Sequence, residues 1–134
     1  MSILTGLTTY LLNNEAIAAL IVTRLYPEAF PAGSTDNPTV MPCGVYSLID
    51  EPIISSFDNA QLKRARIQLD AWGGTYKSAH TLADAIHLAL QGYRGAMGDA
   101  EIGGVFRQSK RDDPNPEIEL HRVIQDYFFN YTEG

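Results

Sequence analysis

The segment from Arg64 to Leu90 changes its hydrophobic period once, and this change constrains the fold more than any other feature of the chain. From Arg64 to Trp72 apolar residues occupy every second position, which is typical of a β-strand with two different faces. A pair of glycines interrupts this pattern, and from Thr75 onwards the apolar residues recur at helical spacing. A strand that leads directly into an amphipathic helix predicts a small domain in which a sheet packs against that helix.

The rest of the sequence predicts a short helical region and three further strands. A helix begins near Ile3, and residues 43–54, 102–109 and 117–131 have the composition of strands, the last of them apolar on both faces. The polar segment 55–61 predicts a turn that joins two strands into an antiparallel hairpin. We therefore expect a single domain over residues 1–134 with an α+β fold, in which a small antiparallel sheet of about four strands packs against one main amphipathic helix.

The charge balance argues against nucleic-acid binding as the main function of this domain. Ten Lys and Arg residues stand against 16 Asp and Glu residues, giving a net charge of −6. Such a balance argues against a protein whose main task is to bind phosphates, because nonspecific affinity for nucleic acid comes from cationic side chains. Cys43 is the only cysteine, which excludes a disulfide within the chain. We expect neither a signal sequence nor a membrane anchor, since no apolar run approaches the roughly 20 residues that span a bilayer.

Residues with possible chemistry are few. His80, Asp84 and His87 share one flank of the main helix, where they either bind a divalent metal ion or form a solvated polar flank beside the apolar stripe. The spacing does not match the metalloprotease motif, and the chain has no nucleophile, base and orienting residue in a known arrangement. We expect no catalytic, cofactor-binding or metal-binding residue, and no enzymatic activity.

One apolar residue of the predicted hairpin turn stands out. Phe57 is the only large apolar side chain between Ser55 and Gln61. It either folds back onto the core or contacts another chain.

The order of these features resembles the tail completion, or tail terminator, proteins of long-tailed bacteriophages and prophage-derived particles. The similarity is carried by Arg-Leu-Tyr-Pro at residues 24–27, a proline-bounded loop, a strand and a hairpin. It continues with RIQLDAWGGTYKSAHTLADAIHLAL, a glycine-rich link, and a closing strand LHRVIQDYFFNY. The firmest part is the run from Asp70 to Ala79.

This resemblance implies a structural function in the virion. Members of that family form a six-fold ring at the head-proximal end of the tail tube, where the ring ends tube polymerisation. The implied partners are further copies of the chain, the tail tube protein and a head-side connector protein, with assembly in the host cytoplasm. DNA is expected to pass through the lumen without specific binding, which suits an acidic chain.

The position of several residues predicts that they contribute to the subunit interface of such a ring. Arg64, Arg66, Asp70 and Trp72 lie on the face of their strand that points away from the core, although Trp72 could instead close the core beside the helix. The predicted interface residues are Arg64, Arg66, Asp70, Trp72, Phe57, Tyr127 and Phe129.

Other functions stay open from the sequence. The nearest is another head–tail connector or a tail-tube component of the same particle. A small metal-binding enzyme that uses His80, Asp84 and His87, or a nucleic-acid-binding module, belongs to a different class of protein.

Overall fold

A computed structural model describes residues 3–28, 40–57, 60–113 and 120–133, with the side chains of residues 54–57, 60, 61 and 133 outside the description. Within these ranges the chain forms three helices and seven strands. The helices are α1 (Ile3–Leu12), α2 (Glu15–Ile21) and α3 (Tyr76–Leu90). The strands are β1 (Leu25–Pro27), β2 (Cys43–Asp50), β3 (Ile53–Phe57), β4 (Ala60–Gly73), β5 (Gly95–Met97), β6 (Ala100–Asp112) and β7 (His121–Glu133).

All seven described strands belong to one sheet. Six of them follow the order β1-β2-β4-β7-β6-β5, and β3 pairs with the first part of β4 beside β2. The pairs are antiparallel except that β1 runs parallel to β2. The long strands β4 and β7 are central and pair from Leu62–Thr132 to Gly73–His121.

The predicted fold class is wrong. The chain is mostly sheet, and its curled mixed sheet has six strands in its main order and is joined by three helices. It is not an antiparallel sheet of about four strands against one main helix. The sequence pattern missed β1 and β5 because each has only three residues, too few to display a period of two. These strands form because β2 and β6 offer them free backbone groups at the sheet edges.

The hairpin that the sequence predicted is present, but its turn is shorter than expected. β3 extends through Phe57 and β4 begins at Ala60, so most of the segment 55–61 is strand. The register shifts between Leu48 and Asp50 and again between Ile53 and Ser55. Pro52 lies between these two irregularities, where its missing N–H interrupts no regular ladder.

The switch from β4 to α3 depends on a close approach of backbone and side chain. A Cβ atom at Gly73 would lie 2.6 Å from the Ala79 amide nitrogen, so only glycine fits there. Thr75 caps α3: its side chain accepts from the Ser78 N–H at 3.0 Å, and the Ser78 hydroxyl accepts from the Thr75 N–H at 3.2 Å. This capping box begins the helix directly after the strand.

The core lies between one face of the sheet and the three helices. Alternate residues of β4, namely Ala65, Ile67, Leu69 and Ala71, are fully buried in it. From α3 the same cluster includes Leu82, Ile86 and Leu90, and α1 and α2 complete it through residues that include Leu7, Leu11 and Ile17. None of the helices that the structure describes is long and apolar enough to span a bilayer.

Candidate functional site on the open face of the sheet

The face of the sheet that points away from the helices, called the open face below, carries alternate residues of the two central strands. Side chains of paired residues share a face, so the register between β4 and β7 assigns each residue to one side. Among the described residues, none of these side chains belongs to the core cluster that the helices complete. The open face comprises Arg64, Arg66, Gln68, Asp70 and Trp72 of β4, and Arg122, Ile124, Asp126, Phe128 and Asn130 of β7.

Two ion pairs cross from β4 to β7 on the open face, in opposite directions. Arg66 Nη2 lies 3.2 Å from Asp126 Oδ2, and Arg122 Nη2 lies 3.1 Å from Asp70 Oδ2. Near the other end of the strands, Arg64 Nε donates to Asn130 Oδ1 at 3.0 Å. Each strand thus contributes both a cation and an anion, which ties the two central strands together through their side chains.

The two carboxylates of these pairs are almost completely shielded from solvent. Asp70 is 5% exposed and Asp126 is 6% exposed. Gln68 Nε2 also donates to Asp70 at 3.1 Å, and Ser109 Oγ of β6 donates to Asp126 at 3.1 Å. Removing a charged group from water costs several kcal/mol unless partners replace the lost hydration. The two arginines supply the partners that these shielded carboxylates require.

Three buried polar atoms of this network have no hydrogen-bond partner among the described residues. They are Arg66 Nε, Arg122 Nε and Asp126 Oδ1. Buried polar atoms are nearly always paired, and an unpaired one costs about 1–3 kcal/mol. The network is therefore not saturated by the described part of this chain.

Burial controls the charge of Asp70. Desolvation raises the pKa of its carboxyl above the ordinary value, and the Arg122 guanidinium and the Gln68 amide partly oppose this rise. The ionised form of Asp70 therefore depends on Arg122.

Aromatic rings lie under two of the arginines. The Arg122 guanidinium carbon is 5.2 Å from the centre of the Trp72 ring, and that of Arg64 is 5.5 Å from the centre of the Phe128 ring. Phe128 also contacts Phe106 of β6, with ring centres 5.7 Å apart. Phe106 is 40% exposed, so an apolar patch continues from the charged centre of the open face towards β6.

The structure divides the residues that the sequence predicted for a subunit interface. Arg64, Arg66, Asp70 and Trp72 lie together on the open face. The other three are elsewhere. Tyr127 and Phe129 are on the opposite face and are fully buried in the core of the chain. Phe57 ends β3, and its side chain lies outside the described part of the chain.

Sequence reasoning missed the residues of β7 that complete this site. Arg122 and Asp126 lie in a strand whose apolar residues dominate its pattern, and nothing in β7 alone indicates that they face charged residues of β4. The available signal was the alternation of Arg66 and Asp70 on β4, which required opposite charges on whichever strand paired with it.

The three polar side chains on the flank of α3 contact three different partner residues, so they do not converge on one metal ion. His80 Nε2 lies 2.6 Å from Asp112 Oδ1, and Asp84 Oδ1 lies 3.7 Å from Lys110 Nζ, both on β6. His87 Nδ1 is 3.1 Å from the Tyr127 hydroxyl. Among the described residues, no group of three or more His, Cys, Asp or Glu side chains is placed to hold a metal ion.

A buried polar network lies under α3, on the core side of the sheet. Gln125 is fully buried; its amide donates to the Ala83 carbonyl at 3.1 Å. Its side-chain oxygen accepts from Arg107 Nη1 at 2.9 Å and from the Tyr127 hydroxyl at 3.1 Å. Burial, and secondarily the Arg107 charge, lower the pKa of His87. These bonds fix α3 on the sheet, and the charged open face is the remaining candidate for contact with other molecules.

Comparisons with known proteins identify the family and the fold of the chain. A sequence model of the family described as tail completion protein gp17 matches residues 5–131. One chain of the solved structure of the virion of a native gene transfer agent particle has the same fold, with a TM-score of 0.69. It is 18% identical, and the match covers 94% of this chain and 90% of that one. No curated protein matches the sequence.

Proposed function

Because the chain belongs to the family of tail completion proteins gp17, a family of structural phage tail proteins, we propose that it forms the ring that closes the head-proximal end of a tail tube. The family match over residues 5–131 carries this proposal, and it confirms the resemblance found in the sequence. In the proposed assembly a single tail-terminator domain, residues 1–134, is repeated six times. The ring ends polymerisation of the tube and offers its other side to a head-side connector protein.

The open face supports the proposal because it has the properties of an assembly surface. It combines exposed aromatic area at Phe106 with arginines over aromatic rings, and Arg and aromatic residues are enriched at protein interfaces. We propose that Arg64, Arg66, Asp70 and Trp72 contribute to the subunit contacts of the ring through this face.

The charge of the chain suits the passage of DNA through the proposed ring. Each copy carries a net charge of −6, and repetition around a channel multiplies that charge. DNA phosphates would be repelled by such a channel instead of being bound, since binding depends on neutralisation by Lys and Arg.

The first experiment is native mass spectrometry of the purified chain, alone and after addition to growing tail tubes. We expect a discrete species of six copies, and tubes that stop growing once it is present. Long tubes made of this chain alone would instead indicate a tube subunit. A chain that stays monomeric in both settings would contradict the ring.

A charge reversal on the open face tests the surface itself. Arg64→Glu is the suitable change because the partner of Arg64 is the neutral Asn130, so that no buried carboxylate faces the new one. We expect weaker ring assembly by a monomer that stays folded. Lys77→Glu, on the exposed surface of α3, makes the same change of charge away from the open face and should assemble normally.

A further inference from the structure

Each side of the sheet has a stretch of strand whose outer backbone edge is unpaired within the described part of the chain. On one side, β1 pairs with β2 only at Gly44, Val45 and Tyr46, which leaves residues 47–50 open. On the other side, β5 pairs with β6 only at residues 100–102, which leaves residues 108–112 open. Open strand edges tend to pair with other chains, and globular proteins normally cover or close them.

The two open edges carry opposite charges. On β2, Leu48 and Ile49, which precede Asp50, are 42% and 47% exposed. Asp50 ends β2, and its carboxylate accepts only the N–H of Glu51 among the described residues. The side chain of Arg111, exposed near the end of β6, has no hydrogen bond or ion pair with any described residue. Within the described part of the chain, an anion without an ion-pair partner on one edge thus corresponds to such a cation on the other.

Strand directions allow the two edges to meet. β2, β4, β7 and β6 alternate in direction, so β2 and β6 of one chain run in opposite directions. When β6 of one copy lies beside β2 of the next, the new pair is antiparallel and the alternation continues. In the ladder Asp50 lies opposite Arg66, and Arg111 lies opposite Ile124, so both charged residues are on the open face. Two residues that lie opposite each other in a ladder must share a face, and these two do.

We propose that copies of this chain join head to tail through these edges, with β6 of one copy pairing with β2 of the next and Arg111 lying opposite Asp50. The proposal rests on the ring proposed above and names the surfaces that close it. The two surfaces of this contact are different, so it is heterologous, the type of interface that generates rings.

The stagger of this join is compatible with closure. In one chain Asp50 is level with Arg66, Phe128 and Phe106, whereas Arg111 is level with Ile124, four residues along β7 from Phe128. Pairing Asp50 with Arg111 of the neighbour therefore shifts each copy by about 14 Å along the strands for every four strands, which together are about 19 Å wide. That shift is a strand tilt of about 35°, at the lower end of the 35–45° at which sheets close into barrels.

Charge variants test the join, assayed by native mass under the conditions in which the unaltered chain forms its ring. We expect Asp50→Arg and Arg111→Asp each to weaken assembly by about tenfold or more, because like charges then meet at the contact. The double variant Asp50→Arg/Arg111→Asp should recover assembly, since the pair is restored in reverse. Lys77→Glu serves as the charge-matched control for Arg111→Asp. Both altered side chains are exposed, and unchanged circular dichroism would show that the variants fold.

A disulfide provides a second and independent measurement. In Asp50→Cys/Arg111→Cys the two cysteines of one chain are three strand spacings apart across the sheet and are also offset along it, so more than about 14 Å separates them, which is beyond the reach of a disulfide. Oxidation should therefore link different copies and give a covalent ladder that ends at the ring. Asp50→Cys/Lys77→Cys is the control, and the buried Cys43 should stay unreacted in both.

The outcomes separate the two proposals. An unaltered chain that forms no ring, alone or on tail tubes, refutes the proposed function and this join with it. Rings that form normally from both single charge variants, or a cysteine pair that gives no ladder, leave the ring in place and overturn the join. Loss of assembly in the single variants without recovery in the double variant also overturns the pairing of Asp50 with Arg111.

Discussion

Replacing Arg122 tests whether the open face is held by charge. Arg122→Met keeps much of the side-chain volume and removes the cation that lies 3.1 Å from Asp70. The carboxylate it leaves is 5% exposed and keeps a hydrogen bond from Gln68, so the expected loss of stability is near the lower end of the 3–5 kcal/mol typical of a broken buried pair, about 3 kcal/mol. The lost contact with Trp72 adds about 1 kcal/mol.

The remaining contact of Arg122 supplies a control. Asp113 is also paired with Arg122, at 3.3 Å, but its side chain is 53% exposed, and exposed pairs contribute little. Asp113→Asn should therefore cost less than about 0.5 kcal/mol. Asp70→Asn/Arg122→Met removes both charges of the buried pair and should recover most of the stability that Arg122→Met loses.

The stability that Arg122→Met loses should depend on pH, and the direction follows from the pKa of Asp70. Burial raises the pKa of Asp70 in the folded chain above its ordinary value, so ionisation of Asp70 opposes folding, and stability is lost as pH rises through that raised pKa. Without Arg122 the pKa rises further. The loss of stability caused by Arg122→Met should therefore be largest near neutral pH. It should become smaller on acidification, because Asp70 then takes up a proton.

Urea unfolding followed by circular dichroism, with all variants at one protein concentration, measures these differences. A deficit for Arg122→Met below about 1 kcal/mol would mean that Asp70 does not need its partner. A loss of stability that stays the same as the pH is lowered from neutral would refute the reasoning about the Asp70 charge.

Three further changes test the packing around the sheet. Burial raises the pKa of the Cys43 thiol to about 11, so at pH 8 a thiol reagent should modify it much more slowly in the folded chain than in urea. A Cβ atom at Gly6 would lie 2.5 Å from the Met97 carbonyl oxygen, so Gly6→Ala should lower the urea midpoint by an amount that corresponds to about 1–3 kcal/mol. Thr75→Ala removes the acceptor for the Ser78 N–H and should lower the stability measured in urea by about 1 kcal/mol.

The parts of the fold that the sequence predicted are those with a long and uniform period. The helix that begins after Thr75 and the strand before it follow from periodicity and from local backbone chemistry at Gly73. The segment 55–61 was predicted as a turn because it is polar, yet it is strand through Phe57, since pairing with β4 supplies partners that composition does not reveal.

The sequence predicted the β4 residues of the candidate site but not the β7 residues that complete it. The alternation on β4 places Arg66 and Asp70 on one face, but the strand that lies beside β4 is set by tertiary pairing across the chain. Tyr127 and Phe129 were predicted at an interface because β7 is apolar on both faces, and a single strand does not indicate which of its faces the helices cover.

The charged network explains how one face of the sheet can lack a covering helix in the described part of the chain. A face lined by apolar residues alone would expose a contiguous hydrophobic patch, which promotes aggregation in a free subunit. Here Arg66 and Arg122 shield Asp126 and Asp70 from solvent, so the face is held together by ion pairs although no described helix covers it. Buried ion pairs contribute little net stability but penalise a wrong partner, because any contact that displaces an arginine leaves a buried carboxylate unpaired. The ion pairs that line this face would thus restrict which surface it accepts.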